Sequence, residues 1–400
     1  MVKENKASEK LETINVGIVG HIDHGKTTLL QKLSGVWASR HSEELKRGIS
    51  IKLGYADAVI YDDSGNYNIQ KKGKAVRHVS FVDAPGHEML MATMLSGAAM
   101  IDAAVLVIAA NEGIKPQTRE HLMALQTKKV KNLIVVQNKI DLVDKKQAEK
   151  NYLDIKELLK GKFENVPIIP VSAQQEVNIS EILRAICEIK IDKRDESKEA
   201  FFIIARSFDI NKPGSKPEGL HGAVLGGTLK HGKLKVGEEI EIKPGRIVKE
   251  ANKIRFETIK TKIAGLFNGS ERVEELTPGG SMSIETELDM ALGKSDSLAG
   301  NVLSREGKMP ETKMELTISH KLFPEVFGLG GHTKVEAIKP SELLMLSINT
   351  SITGGTVKTI RGDNLNIILK VPVVPMKGEN VGIARNIAGH WRLIGYGEIV

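Results

Sequence analysis

Short apolar runs and amphipathic segments alternate along the first half of the chain. The apolar runs are near-continuous and lie at residues 14–19, 79–82, 103–109, 133–136 and 168–171. Segments with helical spacing separate them, at residues 88–100, 117–125, 145–159 and 179–189. Residues 55–61 alternate instead, and the turn residues at 62–66 predict a hairpin into 76–82. Strands that are apolar throughout are typical of a parallel sheet covered on both faces, so we predict a doubly wound, mostly parallel α/β domain.

The pattern changes after a run of charged residues at 190–198, which predicts a linker. Beyond it, Gly, Pro and Asn separate short strand-like runs at residues 201–208, 222–229, 239–242, 258–263 and 282–284. Residues 307–310 predict a second boundary, and further runs follow at 314–318, 343–348, 356–360, 366–371 and 391–399. This texture is typical of antiparallel β-barrels. We therefore expect a flexible N-terminal tail at 1–12, the α/β domain at 13–195, and two all-β barrel domains at 196–309 and 310–400.

Composition narrows the class of protein without identifying it. The 400 residues are 41% hydrophobic and 27% charged, as in ordinary globular proteins. A single cysteine, Cys187, excludes an intrachain disulfide and any metal site built from several cysteines. The charged N-terminus lacks the apolar core of a secretory signal, and no apolar run approaches the ~20 residues of a membrane helix, so we expect a cytoplasmic protein. The net charge of +7 is compatible with a polyanionic partner, although abundant lysine also occurs as solvated surface.

The string GHIDHGKT at residues 20–27 joins the first predicted strand to a predicted helix. In that context it is a candidate phosphate-binding loop, because a helix N-terminus offers unpaired N–H groups and a positive dipole end. Gly20 and Gly25 would let the backbone approach the phosphates closely. Lys26 would reach the β- and γ-phosphates, and the Thr27 hydroxyl would hold Mg²⁺. The candidate nucleotide-binding residues of this loop are Asp23, His24, Gly25, Lys26, Thr27 and Thr28.

A second candidate segment, DAPGH at residues 83–87, follows the strand at 79–82. Asp83 could hold a Mg²⁺-bound water, and the Gly86 N–H could contact a γ-phosphate and so report its presence. His87 could position the attacking water and is the candidate catalytic residue. Taken alone, the segment is also compatible with an ordinary Pro-Gly turn capped by an aspartate.

Two further segments carry the expected recognition of the base. In NKID at 138–141, Asp141 could accept from N1–H and the exocyclic amine of guanine, donors that adenine lacks. Asn138 would tie this loop to the phosphate loop, and the Lys139 stem could cover the purine ring. The backbone of the loop formed by Ser172, Ala173 and Gln174 could contact guanine O6. All four segments follow predicted strands, and parallel sheets bind ligands at those ends, so we predict a guanine-nucleotide site.

These strings resemble the signatures of the translational GTPases. GHIDHGKT, RGISI at 47–51 and DAPGH match three of the family's motifs, and an α/β domain followed by two barrels resembles elongation factor Tu. Longer strings are similar to the gamma subunits of archaeal and eukaryotic translation initiation factor 2: HSEELKRG at 41–48, PQTREHL at 116–122, RSFDINKPG at 206–214 and WRLIGYG at 391–397. The resemblance covers about residues 15–400.

The resemblance implies a GTP-hydrolysing carrier of initiator methionyl-tRNA that uses GTP/GDP and Mg²⁺. It implies a heterotrimer with alpha and beta subunits that acts at the small ribosomal subunit. Thr27, Ser50 and Asp83 would serve the Mg²⁺ ion. Asp23 and the backbone near Gly48 would hold a second cation by the phosphates.

The chain departs from the family at three places. Ser50 stands where a switch threonine is usual, and Gln174 stands where leucine is common. Residues 61–74 contain no cysteine, although archaeal members often carry a zinc knuckle there, so we expect no zinc.

Other classes remain open at this point. A selenocysteine-specific elongation factor shares the architecture but usually carries a further C-terminal domain, which we do not expect after Val400. A GTP-binding regulatory scaffold without useful hydrolysis is a third possibility, whereas Asp141 disfavours an ATP-using transferase. Tyr55 is a candidate aromatic surface under the aminoacyl end of a tRNA, and the alternative is that it packs against the first barrel.

Overall fold

The computed structural model describes residues 11–36, 54–83, 91–211, 214, 216, 219–250, 253–269, 271–326 and 333–400. Four of the residues predicted to act on the nucleotide lie outside these ranges: Gly48, Ser50, Gly86 and His87. The expectations for the first switch and for the catalytic histidine therefore stay predictions from the sequence.

A seven-stranded sheet forms the centre of the first domain, with strand order β3-β2-β4-β1-β5-β6-β7. Its strands are β1 (Thr13–Gly20), β2 (Gly54–Asp63), β3 (Asn66–Asn68), β4 (Lys74–Asp83), β5 (Ala103–Ala109), β6 (Asn132–Asn138) and β7 (Ile168–Pro170). The central strand β1 pairs in parallel with β4 and β5, and β2 and β3 extend the sheet antiparallel. Every residue of β1 after Thr13 is buried, as its continuous apolar run predicts.

Helices cover both faces of this sheet: α1 (Lys26–Ser34), α2 (Met91–Ala98), α3 (Pro116–Thr127), α4 (Lys145–Leu159) and α5 (Ile179–Glu188). Leucines and isoleucines of α1 and α5 pack on one face, and those of α3 and α4 pack on the other. Among the described residues, all α-helices belong to this domain. The predicted doubly wound α/β domain is confirmed, and it is called the G domain below.

The first barrel closes six strands in the order β11-β16-β8-β9-β15-β12, because β11 also pairs with β12. Its strands are β8 (Phe201–Phe208), β9 (Val224–His231), β11 (Glu239–Glu250), β12 (Lys253–Asn268), β15 (Met282–Thr286) and β16 (Val302–Arg305), and β13 (Glu271–Val273) extends the sheet at β12. A small pair, β10 (Leu234–Lys235) and β14 (Glu275–Leu276), lies beside it. Fully buried apolar side chains such as Phe202, Leu225 and Ile240 fill its interior.

The second barrel is closed by β17 (Lys313–Leu322), β20 (Leu343–Ile348), β21 (Ser351–Arg361), β22 (Asn364–Val373), β23 (Asn380–Ile387) and β24 (His390–Ile399). A separate ladder joins β18 (Glu325–Val326) to β19 (Thr333–Lys334). The apolar interior of the second barrel and the face of the G domain covered by α3 and α4 form one continuous cluster of buried residues. The predicted fold class, an α/β domain with two all-β barrels, is therefore confirmed.

The predicted elements differ from the observed ones mainly in length. The run at 258–263 is part of the sixteen-residue strand β12, whose alternation also includes many charged positions. The prediction of a helix over 179–189 corresponds to α5, which ends at Glu188. The first barrel strand begins at Phe201, and the domain limits proposed at 195 and 309 remain predictions.

Buried polar contacts join the G domain to the first barrel at Asn15. Its side chain donates to the carbonyl oxygen of Met100 at 2.9 Å and accepts from the Gly280 N–H of the first barrel at 2.8 Å. Asn15 is 4% exposed, so these bonds satisfy an amide that would otherwise be costly to bury. An asparagine inside the otherwise apolar strand β1 is thus explained by the domain interface.

Candidate nucleotide-binding site

The phosphate loop connects the end of β1 to the start of α1. Gly25 caps the helix in a left-handed conformation with φ 89°, and the Leu29 N–H donates to its carbonyl oxygen at 2.9 Å. A Cβ on Gly20 would lie 2.3 Å from the carbonyl oxygen of Val107, and one on Gly25 would lie 2.5 Å from Nδ2 of Asn138. A side chain at either position would therefore collide with neighbouring protein atoms beneath the loop. This requirement for glycine is separate from the close approach to the phosphates that the sequence predicted.

Lys26 occupies the first position of α1 with little exposure to solvent. Its Nζ donates to the carbonyl oxygen of His21 at 2.8 Å. Burial lowers the pKa of Lys26 to about 8, and the carboxylates of Asp83 and Asp23 oppose that shift. The ammonium therefore stays predominantly charged at neutral pH, as a phosphate ligand requires.

Helix α3 supports the loop from below. The Gly20 N–H donates to Nδ1 of His121 at 2.8 Å, and the Ile22 N–H donates to Oε1 of Gln117 at 3.4 Å. Burial lowers the pKa of His121 to about 3, so the ring is neutral and accepts through Nδ1. Both residues lie in the segment PQTREHL at 116–122, which contributed to the predicted family resemblance. The sequence did not predict that they accept hydrogen bonds from the phosphate loop.

His24 fills the space under the loop. Its ring is fully buried, and Nδ1 lies 3.3 Å from the carbonyl oxygen of Val107. Burial lowers the pKa of His24 to about 4, so the ring is neutral at physiological pH. The His21 ring contacts it edge-on, with ring centroids 5.0 Å apart. This arrangement gives both histidine rings a packing role beneath the loop.

Asn138 joins three loops at the end of β6. Its Nδ2 donates to the carbonyl oxygen of His24 at 2.9 Å, and its Oδ1 accepts from the Ala173 N–H at 3.0 Å. The predicted tie between NKID and the phosphate loop is thus present, and it extends to the loop after β7. Because the asparagine is 2% exposed, both bonds lie out of water.

The other residues predicted to contact the base lie around Asn138. Lys139 has a left-handed φ of 60° and its Nζ donates to Oε1 of Glu112 at 3.3 Å. Asp141 lies in the short 3₁₀ turn Ile140–Leu142 with its side chain exposed. Ser172 is buried and its hydroxyl accepts from the Gln175 N–H at 3.2 Å, whereas Gln174 is exposed. The Asp141 carboxylate is thus available to a ligand above the sheet, whereas the Ala173 N–H already donates to Asn138.

Oxygen ligands suited to Mg²⁺ lie near the phosphate loop. Asp83 ends β4 beside Ile18 of β1 and is 1% exposed. Thr27 and Thr28 are half-buried in the first turn of α1, and Asp23 is exposed with φ 63°. Hydroxyl and carboxylate oxygens are the ligands that Mg²⁺ prefers, so the residues present fit this ion.

Tyr55 packs at the interface between the G domain and the first barrel. The side chain is half-buried against Val82, Met100 and Ala205, and its hydroxyl lies 4.0 Å from the sulfur of Met100. Burial raises the pKa of the Tyr55 hydroxyl, which keeps it neutral. In this conformation Tyr55 therefore follows the packing alternative.

The phosphate loop, Asp83 and the Asn-Lys-x-Asp segment lie at one edge of the mostly parallel sheet. Together with the two closed barrels, this arrangement is that of a translational GTPase. Residues 11–191 match the family described as Elongation factor Tu GTP binding domain, and residues 314–399 match Initiation factor eIF2 gamma, C terminal. The chain belongs to the family of translation initiation factor 2 gamma subunits, as its similarity to curated members shows.

Three such members are named translation initiation factor 2 subunit gamma. The protein of Methanothermobacter thermautotrophicus is 50% identical, over 96% of this chain and 98% of its own. The protein of Methanocaldococcus jannaschii is 48% identical, over 100% of this chain and 100% of its own. The protein of Pyrococcus furiosus is also 48% identical, over 98% of this chain and 99% of its own. The predicted resemblance is confirmed, and the chain is a GTPase that binds GTP and GDP.

Solved structures of selenocysteine factors share the fold. Bacterial selenocysteine-specific elongation factor EF-Sec has a TM-score of 0.78 at 22% identity, over 97% of this chain and 58% of its own. Elongation factor SelB from Methanococcus maripaludis, bound to the GTP analogue GPPNHP, has a TM-score of 0.74 at 22% identity. The match covers 98% of this chain and 79% of the SelB chain. At this identity the likeness concerns the fold alone. Within the described part of the chain, the helices are too short or too polar to cross a membrane.

Proposed function

We propose that this chain carries initiator methionyl-tRNA to the small ribosomal subunit in its GTP state, as one subunit of a cytoplasmic heterotrimer with alpha and beta subunits. The whole-length similarity to proteins named translation initiation factor 2 subunit gamma is the observation that carries this proposal. The fold supports it, because the nucleotide loops and both barrels meet in one body through buried contacts.

In this proposal each candidate residue has a role toward the nucleotide. Asp141 reads the guanine base, Lys139 covers the ring, and the loop from Ser172 to Gln174 contacts O6. The remaining loop residues bind the phosphates through backbone N–H groups and Lys26. Thr27, Ser50 and Asp83 serve Mg²⁺, which would neutralise charge that develops on the phosphates, and Asp23 with Gly48 serves a second cation. We expect no zinc.

The proposed hydrolysis depends on Ser50, Gly86 and His87, which lie outside the described residues. Gly86 donates its N–H to the γ-phosphate, and His87 orients the attacking water. Ser50 holds the first switch in place through its hydroxyl. Loss of the γ-phosphate removes these contacts, so the switches relax and the affinity for tRNA falls.

Binding of tRNA in two nucleotide states tests this function. Initiator methionyl-tRNA, elongator aminoacyl-tRNA and selenocysteinyl-tRNA are compared with a GTP analogue and with GDP, at one fixed ionic strength because phosphate contacts are salt-sensitive. The measurement is repeated with the alpha subunit present. Preference for the initiator in the GTP state alone supports the proposal. Preference for selenocysteinyl-tRNA, or no dependence on nucleotide in either setting, contradicts it.

A further inference from the structure

Helix α3 lies between the phosphate loop and the second barrel and contacts both. Its start is fixed by Pro116 at the first helical position and by the Thr118 hydroxyl, which accepts from the Lys115 N–H at 3.3 Å. From this start, one group of side chains reaches the loop and another reaches β24. The helix is therefore a physical connection between two domains that are distant in sequence.

The loop side of α3 consists of Gln117 and His121. These side chains accept hydrogen bonds from the backbone N–H groups of Ile22 and Gly20, at 3.4 and 2.8 Å. On its other side Gly20 packs closely against β5, where a Cβ on Gly20 would lie 2.3 Å from the carbonyl oxygen of Val107. A displacement of α3 would thus be transmitted to the backbone of the phosphate loop.

The barrel side of α3 is a buried ion pair. Oε1 of Glu120, the neighbour of His121, lies 2.7 Å from Nη1 of Arg392 on β24. Their side chains are only 3% and 5% exposed. Each buried charge is stabilised by the opposite charge of the other, because either charge alone would be poorly solvated at this site. The pair therefore fixes the position of α3 against the second barrel.

We propose that Arg392 of the second barrel is a positioning residue for the nucleotide site, acting through Glu120, α3 and His121 on the phosphate loop. The inference rests on the proposed nucleotide-binding role of that loop. When the pair is intact, the loop backbone is preorganised for phosphates. When it is lost, α3 and the loop gain freedom, and bound nucleotide escapes faster.

An exposed ion pair supplies a matched control. Lys129, just past the end of α3, pairs with Glu398 of the same strand β24, and their side chains are 54% and 46% exposed. This pair joins the turn that follows α3 to the same strand, but it is exposed to water and lies at the opposite end of α3 from Gln117. Exposed pairs contribute little, so its removal should leave the nucleotide site unchanged.

Release of a fluorescent GDP from the full chain, measured by stopped flow, tests the inference. Arg392→Met should accelerate release by at least about tenfold, within the range of coupling between distant sites. Lys129→Met should change the rate by less than about twofold. Arg392→Lys keeps the charge but loses the planar guanidinium, so it should recover part of the slow release. Release at the wild-type rate from Arg392→Met would overturn the proposal.

A second comparison separates positioning from general destabilisation. The double variant Glu120→Leu with Arg392→Met removes both charges of the pair, so neither is left buried without the other. It is used if the single variant does not fold, and it should also release GDP faster. His121→Phe removes the acceptor for Gly20 without touching the ion pair. If both act through one path, combining His121→Phe with Arg392→Met accelerates release less than the product of the single effects, whereas multiplicative effects refute the path. Failure of wild type to bind GDP would instead contradict the proposed site.

Discussion

Replacing Asn138 with alanine tests whether the nucleotide site is held from beneath by this one side chain. The amide makes two buried bonds, to the His24 carbonyl oxygen at 2.9 Å and from the Ala173 N–H at 3.0 Å. Asn138→Ala removes both bonds and leaves both backbone groups without that partner. We therefore expect the ligand-free protein to lose stability before any effect on nucleotide is considered.

The magnitude follows from the burial of those groups. His24 is 0% exposed and Ala173 is 2% exposed, so water does not reach them in the folded protein. An orphaned buried donor or acceptor costs about 1–3 kcal/mol, and two of them give about 2–6 kcal/mol of lost unfolding free energy. A water that entered the vacated space would move the loss toward the lower end of this range.

Urea unfolding followed by far-UV circular dichroism is a suitable assay. The α-helices of the described residues all belong to the G domain, so the helical signal reports on the domain that contains Asn138. Gln126→Ala on α3 is the control, because its amide makes a single, half-buried bond to the Lys162 carbonyl oxygen at 3.4 Å. The control should lose less than about 1 kcal/mol. A loss below about 1 kcal/mol for Asn138→Ala would refute the reasoning.

Four other predictions concern the base, the chemistry, the protons and the metal. Asp141→Asn should lose about 1.5–3 kcal/mol of GTP affinity per charge-assisted bond removed and gain affinity for xanthosine triphosphate; unchanged GTP affinity in a fluorescent-nucleotide titration contradicts its role. His87→Ala should slow single-turnover hydrolysis with GTP affinity nearly intact, and a comparable loss of binding would make the histidine structural. Burial lowers the pKa of His24 to about 4 and that of His121 to about 3, from an ordinary 6.5. Below about pH 6.5 the unfolded chain therefore binds more protons than the folded chain. The free energy of unfolding should be full above about pH 6.5 and should fall as the pH drops toward 4. A urea midpoint that stays constant between about pH 7 and pH 5 contradicts this prediction. Metal analysis of the purified protein should find no stoichiometric zinc, since residues 61–74 lack cysteine.

The sheet could be predicted, and the candidate nucleotide-binding residues could be proposed, because both depend on short local segments of the sequence. A continuous apolar run such as β1 has no face for water, which indicates a parallel strand between others. Gly25, Lys26 and Asp141 belong to short strings whose residue types match the chemistry of phosphate and guanine. The barrels were predictable in class but not in strand length, because β12 carries charged residues on its outer face and its alternation continues well beyond the apolar stretch.

The bracing of the loop was not predictable from local sequence. His121 lies one hundred and one residues after Gly20, and Arg392 lies two hundred and seventy-two residues after Glu120. No periodicity specifies which buried histidine meets a loop N–H, or which arginine enters a helix face. Such pairs follow from how the domains dock, and the hydrophobic pattern of a strand such as β24 does not specify them.

The residues proposed to contact the nucleotide differ in charge from the residues that support the loop, and this difference has a physical reason. The groups that would act on the nucleotide are charged or exposed, such as Lys26 and Asp141, whereas Asn138, His24 and His121 are neutral, buried and shielded from water. A neutral support can hold the loop at fixed distances without repelling phosphate charge or competing with Lys26 for it. Changes to the support should therefore alter stability and the rate of nucleotide release while GTP remains preferred. Changes at Asp141 should alter the choice of base while the loop keeps its stability.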